Sequence, residues 1–168
     1  MDLLIVDGYN IIHAWQDIFP LDKNTLEECR IKLAELLSNY QGYSGYEIVI
    51  VFDAYKVMDG VGSLKKYDNL KIVYTRERQT ADNFIERFVS EVRGIGNIIV
   101  ATGDGLEQKT ILLKGGLRLT AKELKHDIML ASKKQNRQKY MKSDKNRLED
   151  HLSKDQIELF EKMRRGNE

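Results

Sequence analysis

The chain alternates short, wholly apolar runs with longer amphipathic ones. Leu3-Leu4-Ile5-Val6, Ile48-Val49-Ile50-Val51-Phe52 and Ile98-Ile99-Val100-Ala101 are continuous apolar stretches of strand length. Each is closed by an acid, directly or across a turn: Asp7-Gly8, Asp53, and Thr102-Gly103-Asp104. Unbroken apolar runs read as strands buried on both faces, the signature of a parallel sheet. Leu70 to Thr75 is a weaker fourth strand, with Ile72 and Tyr74 alternating against Lys71 and Val73. Between the strands the period changes. Leu26, Leu33, Leu36, Leu37 and Tyr40 share one helical stripe, predicted to end before Gly42. Ala81, Phe84, Ile85, Phe88, Val89 and Val92 follow the clearest amphipathic spacing, with Thr80 as N-cap and Gly94 as terminator. Thr120-Ala-Lys-Glu123 is a capping box that opens a third helix through Leu124 and Ile128. Ser153 to Gln156 opens a short tail helix with Ile157 and Phe160. Strands alternating with helices predict an α/β fold, a three-layer α/β/α sandwich around a parallel sheet. Residues 133–147 are almost wholly polar and basic, and read as a solvated helical extension or a mobile linker. The expected division is therefore a folded domain over 1–132 and a basic helical C-terminal extension over 133–168.

Composition narrows the class. A chain of 168 residues suits one domain with a short appendage. The single cysteine, Cys29, forbids an intramolecular disulfide and a cysteine-based zinc cluster. No apolar run approaches the ~20 residues that span a bilayer. The N-terminus lacks a basic stretch followed by an apolar one, so no signal peptide is expected. The expected setting is the cytoplasm, with no membrane and no disulfide partner.

The formal charge of +1 conceals an asymmetry. Residues 1–108 hold 11 basic and 17 acidic side chains, whereas residues 109–168 hold 16 basic and 9 acidic. A net of −6 in one half and +7 in the other points to a polyanion as partner for the basic half.

In an open parallel sheet, ligands bind at the carboxyl ends of the strands. Asp7, Asp53 and Asp104 all lie there, and Asp82 sits in the first turn of the best helix. Glu86 follows Asp82 by one turn. A single Asp at a strand end is ordinarily a turn former or a helix cap. Several at one rim repel each other unless a cation joins them. Oxygen donors without His or Cys favour Mg²⁺ or Mn²⁺, ions suited to phosphodiester hydrolysis. Asp7 gains weight from Gly8 and Asn10 behind it, Asp104 from Thr102-Gly103 ahead of it. His13, Tyr9 and Trp15 are read as packing or surface residues. An acidic rim needs cations beside it to accept a polyanion. Arg76 and Arg78 precede Asp82, and Lys65 and Lys66 lie in a loop between Asp59 and Asn69. Lys114, Arg118, Lys122 and Lys125 lead into a stretch, 117–147, that holds 10 Lys+Arg against 3 Asp+Glu. Such contacts grip the backbone without reading sequence. Tyr140, in that stretch, would be the residue to stack on a base were the polyanion a nucleic acid.

Four blocks resemble a known family: Val6-Asp7-Gly8-Tyr9-Asn10-Ile11-Ile12, Val51-Phe52-Asp53-Ala54, Thr80-Ala81-Asp82-Asn83-Phe84-Ile85-Glu86 and Ala101-Thr102-Gly103-Asp104. They are similar to the signature blocks of NYN-domain proteins, which are PIN-like ribonucleases, and most of all to the bacterial YacP-type branch. Glu107-Gln108 and Leu117-Arg118 through Lys122-Glu123-Leu124 also resemble that branch, and the likeness fades after about residue 130. The resemblance implies a metal-dependent endoribonuclease. It maps the family's acids onto Asp7, Asp82 and Asp104, with Asn10 as a supporting polar group and Glu86, in preference to Asp53, as a fourth ligand. It also implies mRNA as substrate and the translating ribosome as partner. Two other readings compete. A non-catalytic RNA- or ribosome-binding protein would not need three intact acids. A haloacid-dehalogenase-type phosphatase needs a second Asp two residues after the first, where Tyr9 stands.

Overall fold

The computed structural model describes residues 2–53, 63–91 and 96–151, with side chains described as far as Arg137. Among the described residues, eleven elements follow in chain order: β1 (Leu3–Asp7), α1 (Gly8–Ala14), α2 (Leu26–Ser44), β2 (Glu47–Phe52), β3 (Leu64–Tyr67), β4 (Leu70–Tyr74), α3 (Ala81–Glu91), β5 (Ile98–Thr102), α4 (Gly105–Leu113), β6 (Leu117–Thr120) and α5 (Ala121–His151). The six strands form one sheet in the order β3-β4-β2-β1-β5-β6. β4, β2, β1, β5 and β6 are mutually parallel, and only the edge strand β3 is antiparallel. From β1 the chain first builds outward on one side (β2, β4, β3). It then returns to the other side of β1 for β5 and β6, so the order reverses at the β1/β5 boundary. Such a reversal opens a crevice at the carboxyl ends of the strands.

Because strand side chains alternate between faces, each apolar run feeds two cores. Leu4, Val6, Ile48, Ile50 and Phe52 pack with α1, α2 and the start of α5, through Ile11, Ile12, Leu33, Leu37 and Leu124. Leu3, Ile5, Val51 and Val100 pack against α3 and α4, through Ala81, Ile85, Val89 and Ile111. The same alternation puts Asp7, Asp53 and Thr102 in phase with the α3/α4 face. The chain separates into two compact units, Met1–Ala131 and Ser132–Glu168. The first holds the sheet, α1 to α4 and the start of α5. In the second, the described backbone is the continuation of α5 to His151, so residues 133–147 are helix rather than linker. No helix among the described residues is long and apolar enough to cross a membrane.

Several boundaries differ from the sequence reading. α2 passes through Gly42 and stops at Gly45, whose φ of +73° is left-handed and ends the helix without strain. Lys65 and Lys66 lie in β3 rather than in a loop. β6, α1 and α4 are further elements. α1 starts on Gly8, where a Cβ would stand 2.2 Å from Cε1 of Phe52. The lack of a side chain therefore lets the helix begin against β2. The capping box at α5 forms as expected: Thr120 N donates to Glu123 Oε2 (2.8 Å), and Glu123 N donates to Thr120 Oγ1 (3.1 Å). Val92, Gly94 and the tail helix from Ser153 lie outside the described residues.

Candidate active site

Three carboxylates converge at the crevice. Asp7 ends β1, Asp82 lies in the first turn of α3, and Glu107 lies in the first turn of α4. One oxygen of each lies within 4.8 Å of the others. Asp7 and Glu107 are buried, with 6 % and 4 % of their surface exposed, and Asp82 is half-buried. Strand parity turns Asp7 towards the layer from which α3 and α4 deliver the other two.

Placement is enforced by hydrogen bonds at the helix starts. Asp7 caps α1 by accepting from Asn10 N (3.2 Å). Asp53, at the end of β2, accepts from Ala81 N (3.0 Å) and so anchors the first residue of α3, next to Asp82. Thr80 accepts from Asn83 N (3.2 Å) in the same turn. Asp104 caps α4 through Leu106 N (2.8 Å), while its own N–H donates to Thr102 Oγ1 (3.1 Å). Asn10 Oδ1 accepts from Gly103 N (2.5 Å), tying the β1–α1 turn to the β5–α4 turn. A Cβ on Gly103 would come within 2.7 Å of that same Asn10 oxygen.

The electrostatics show the cost of this convergence. Burial, reinforced by the charges of Asp82 and Asp53 and by a hydrogen bond to Asp82, pushes the Asp7 carboxyl up to about 7 against the Asn10 N–H. Burial raises Asp82 as well; the hydrogen bond from Asp7 opposes this, and Asp104, Asp53 and Glu86 add to it. Glu107 rises to about 8, chiefly through burial and then through Asp7, Asp82 and Asp104, with the Thr102 hydroxyl opposing. Neither carboxylate oxygen of Glu107 has a well-formed hydrogen bond, although both are buried. A buried charge without a partner is strongly disfavoured. Three oxygen donors, one of them with no more than a poorly formed contact from the Thr102 hydroxyl, fit a hard divalent cation such as Mg²⁺ or Mn²⁺.

Of the residues expected from the sequence, Asp7 and Asp82 are brought together. Asp104 is exposed and lies outside the close trio, near enough to act on Asp82 and Glu107 by charge. Glu86 is drawn to Lys114, whose Nζ stands 3.2 Å from Glu86 Oε2. Asn10 acts on the backbone of the neighbouring turn. Among the expected RNA contacts, Arg76 and Arg78 are exposed in the β4–α3 turn, where Gln79 N donates to Arg76 O (3.0 Å) and Arg78 has a φ of +63°. Arg118 Nη1 donates to Gln108 Oε1 (3.4 Å), Lys125 pairs with Asp17 (2.6 Å), and Lys122 is exposed. Tyr140 lies beyond the described side chains. Trp15 is packing, as expected: it is 2 % exposed, it stacks on Phe19, and its Nε1–H donates to Ala121 O (2.8 Å). His13 is exposed.

Glu107 enters the sequence reading only through the Glu107-Gln108 pair that resembles the YacP-type branch, and it is given no role in the site there. Its signal is its position three residues after Asp104, a spacing that otherwise reads as a capping box. Only the existence of α4 shows that Glu107 shares the inward face with Ile111, one turn on.

The family model for the YacP-like NYN domain matches residues 4–165. YacP from Bacillus subtilis is 37% identical over 171 residues, covering 99% of each chain. The crystal structure of Rae1 (YacP) from Bacillus subtilis superposes with a TM-score of 0.73 at 36% identity, covering 99% of this chain and 96% of that one. A mutant of that protein gives 0.72 at 34% identity over 85% of each chain.

Proposed function

This chain belongs to the YacP-like NYN domain family, and on that premise we propose that it is a divalent-cation-dependent endoribonuclease whose substrate is mRNA on the translating ribosome. The observation that carries the reading is the buried trio of Asp7, Asp82 and Glu107, with Glu107 lacking any well-formed hydrogen bond. In this reading these three residues hold Mg²⁺ or Mn²⁺. The ion, once bound, lowers the pKa of a water and offsets charge on the phosphate under attack.

The chain's own residues do the remaining work. Asp53 holds the start of α3, and with it Asp82, in place. Asn10 locks the two turns that carry Asp7 and Asp104. Asp104, exposed beside the trio, adds negative charge that strengthens the hold on a cation. Lys114, at the C-terminal end of α4, pairs with Glu86 and so draws that acid away from the trio. The basic α5 and the Arg76–Arg78 turn attract the polyanion.

The test is cleavage of RNA by the full chain, naked and on translating ribosomes side by side, with Mg²⁺ or Mn²⁺ and then with EDTA. Cleavage should require the ion, and Asp82→Asn should reduce it by at least about 100-fold, the scale of losing a principal electrostatic contact in a site. Undiminished cleavage by an Asp7→Asn/Asp82→Asn double variant overturns the reading. Ion-independent cleavage does so too.

A further inference from the structure

The strand order fixes the sequence of groups along the rim. Reading across the carboxyl ends of the five parallel strands gives Arg76 after β4, Asp53 after β2, Asp7 on β1, Asp104 after β5, and Lys122 after β6. Neighbouring parallel strands lie about 4.8 Å apart, so the rim spans roughly 19 Å from the end of β4 to the end of β6. Acids occupy the middle and cations the two ends.

Each end also has a groove. Along the β4–α3 turn and α3, a groove of about 560 Å³ is lined by Arg76, Arg78 and Arg87, by the acids Glu77 and Glu91, and by Phe84 and Phe88. Arg87 is taken up by Glu91, 2.7 Å away, which leaves Arg76 and Arg78 without an ion pair among the described residues. Arg78 keeps a left-handed φ of +63° in a turn where glycine would sit without strain. Phe84 and Phe88 stack at 6.2 Å and are half-buried, so part of each ring is open. At the other end, a groove of about 480 Å³ is lined by Gly103, Gln108, Thr120, Lys122 and Lys125. Lys125 there is taken up by Asp17, 2.6 Å away, which leaves Lys122 as the unpaired cation of this groove among the described residues, and no aromatic ring is open, since Trp15 is buried against Phe19.

We infer that a single RNA strand lies across the rim, perpendicular to the β-strands, with nucleotides on one side of the cut in the Arg76–Arg78 groove and those on the other side in the Lys122–Lys125 groove. This rests on the ribonuclease reading above and adds the course of the strand to it. The acids alone would repel the backbone, and two separate cationic grooves are needed to hold it over them. The grooves differ in kind. The first grips phosphate and gives bases the Phe84 and Phe88 rings for stacking, which tolerates any base. The second grips phosphate alone.

The test uses RNA in which the phosphates 5′ or 3′ of a chosen bond are replaced by neutral methylphosphonates, supplied naked or, where cleavage needs them, on translating ribosomes. Cleavage at that bond is scored from the product, which fixes the register. With the wild-type chain, neutralising either flank should raise KM. With Arg76→Ala/Arg78→Ala, neutralising one flank should no longer matter, while the other flank keeps its effect. With Lys122→Ala the insensitive flank should be the opposite one. Each lost contact should also lower the slope of log KM against log salt by about 0.7. If both variants become insensitive on the same flank, or neither does, while wild-type cleavage is intact, the proposed course is overturned and the ribonuclease reading survives. If unmodified RNA is not cleaved in either setting, the ribonuclease reading itself fails.

Discussion

Glu107→Gln should stabilise the ion-free protein at alkaline pH while removing its response to Mg²⁺. The side chain is 4 % exposed, lacks a well-formed hydrogen bond, and has its carboxyl pushed from 4.5 to about 8 by burial and by its acidic neighbours. The folded pKa lies above the unfolded one. The unfolded chain therefore releases its proton first as pH rises, and stability present below about 4.5 is lost as pH climbs through about 8. Each unit of difference corresponds to about 1.4 kcal/mol. Part of the rise comes from Asp7 and Asp82, whose own protonation adjusts with that of Glu107. The recoverable amount is roughly 2–3 kcal/mol at pH 8 and under about 1 kcal/mol at pH 5. For a chain of this size that is a rise in Tm of about 5–10 °C at pH 8. Thermal unfolding in EDTA at pH 5 and pH 8 reads this directly. Adding Mg²⁺ at about 100 times its Kd should then stabilise the wild type by about 2.7 kcal/mol and the variant by much less. A variant less stable than wild type at pH 8 in EDTA would refute the reasoning, as would an equal change at both pH values.

Two further substitutions probe the frame around the site. Gly8→Ala drives a Cβ to 2.2 Å from the Phe52 ring. It should cost about 1–3 kcal/mol in denaturant unfolding and be partly relieved by Phe52→Leu, and a neutral result would disprove the close approach. Trp15→Phe removes the buried donor to the Ala121 carbonyl. A loss of about 1–3 kcal/mol is expected, and an unchanged midpoint would show that this bond does not anchor α5.

The elements that the sequence reading recovered are those whose signal is local. β1, β2 and β5 are unbroken apolar runs because both of their faces are buried. α3 shows a complete stripe because its inner face packs on one core and its outer face meets water. α1 and α4 escaped because each begins on a glycine directly after an acid, Gly8 and Gly105, a pairing that reads as a turn. β3 and β6 escaped because edge strands carry Lys and Arg rather than apolar runs, which protects an exposed edge. The site divides along the same line. Asp7 and Asp82 sit at element boundaries that the pattern marks. Glu107 depends on α4, and the capture of Glu86 depends on Lys114, 28 residues away. Pairings of that kind exist only after the chain has folded.

Asp7 and Asp104 each spend one carboxylate oxygen on the first turn of the helix that follows. Their torsional freedom is therefore already lost when the helix nucleates, and a ligand meets side chains that need no further ordering. The same economy links two kinds of failure. Fraying of the first turn of α1 or α4 would release an acid from its orientation, so the ion binding proposed above would be lost with a local opening far smaller than global unfolding. Asparagine at either position keeps an acceptor for the helix and removes the charge, whereas alanine removes both. Inactivity in an alanine variant would then mix chemistry with architecture, and the amide separates the two.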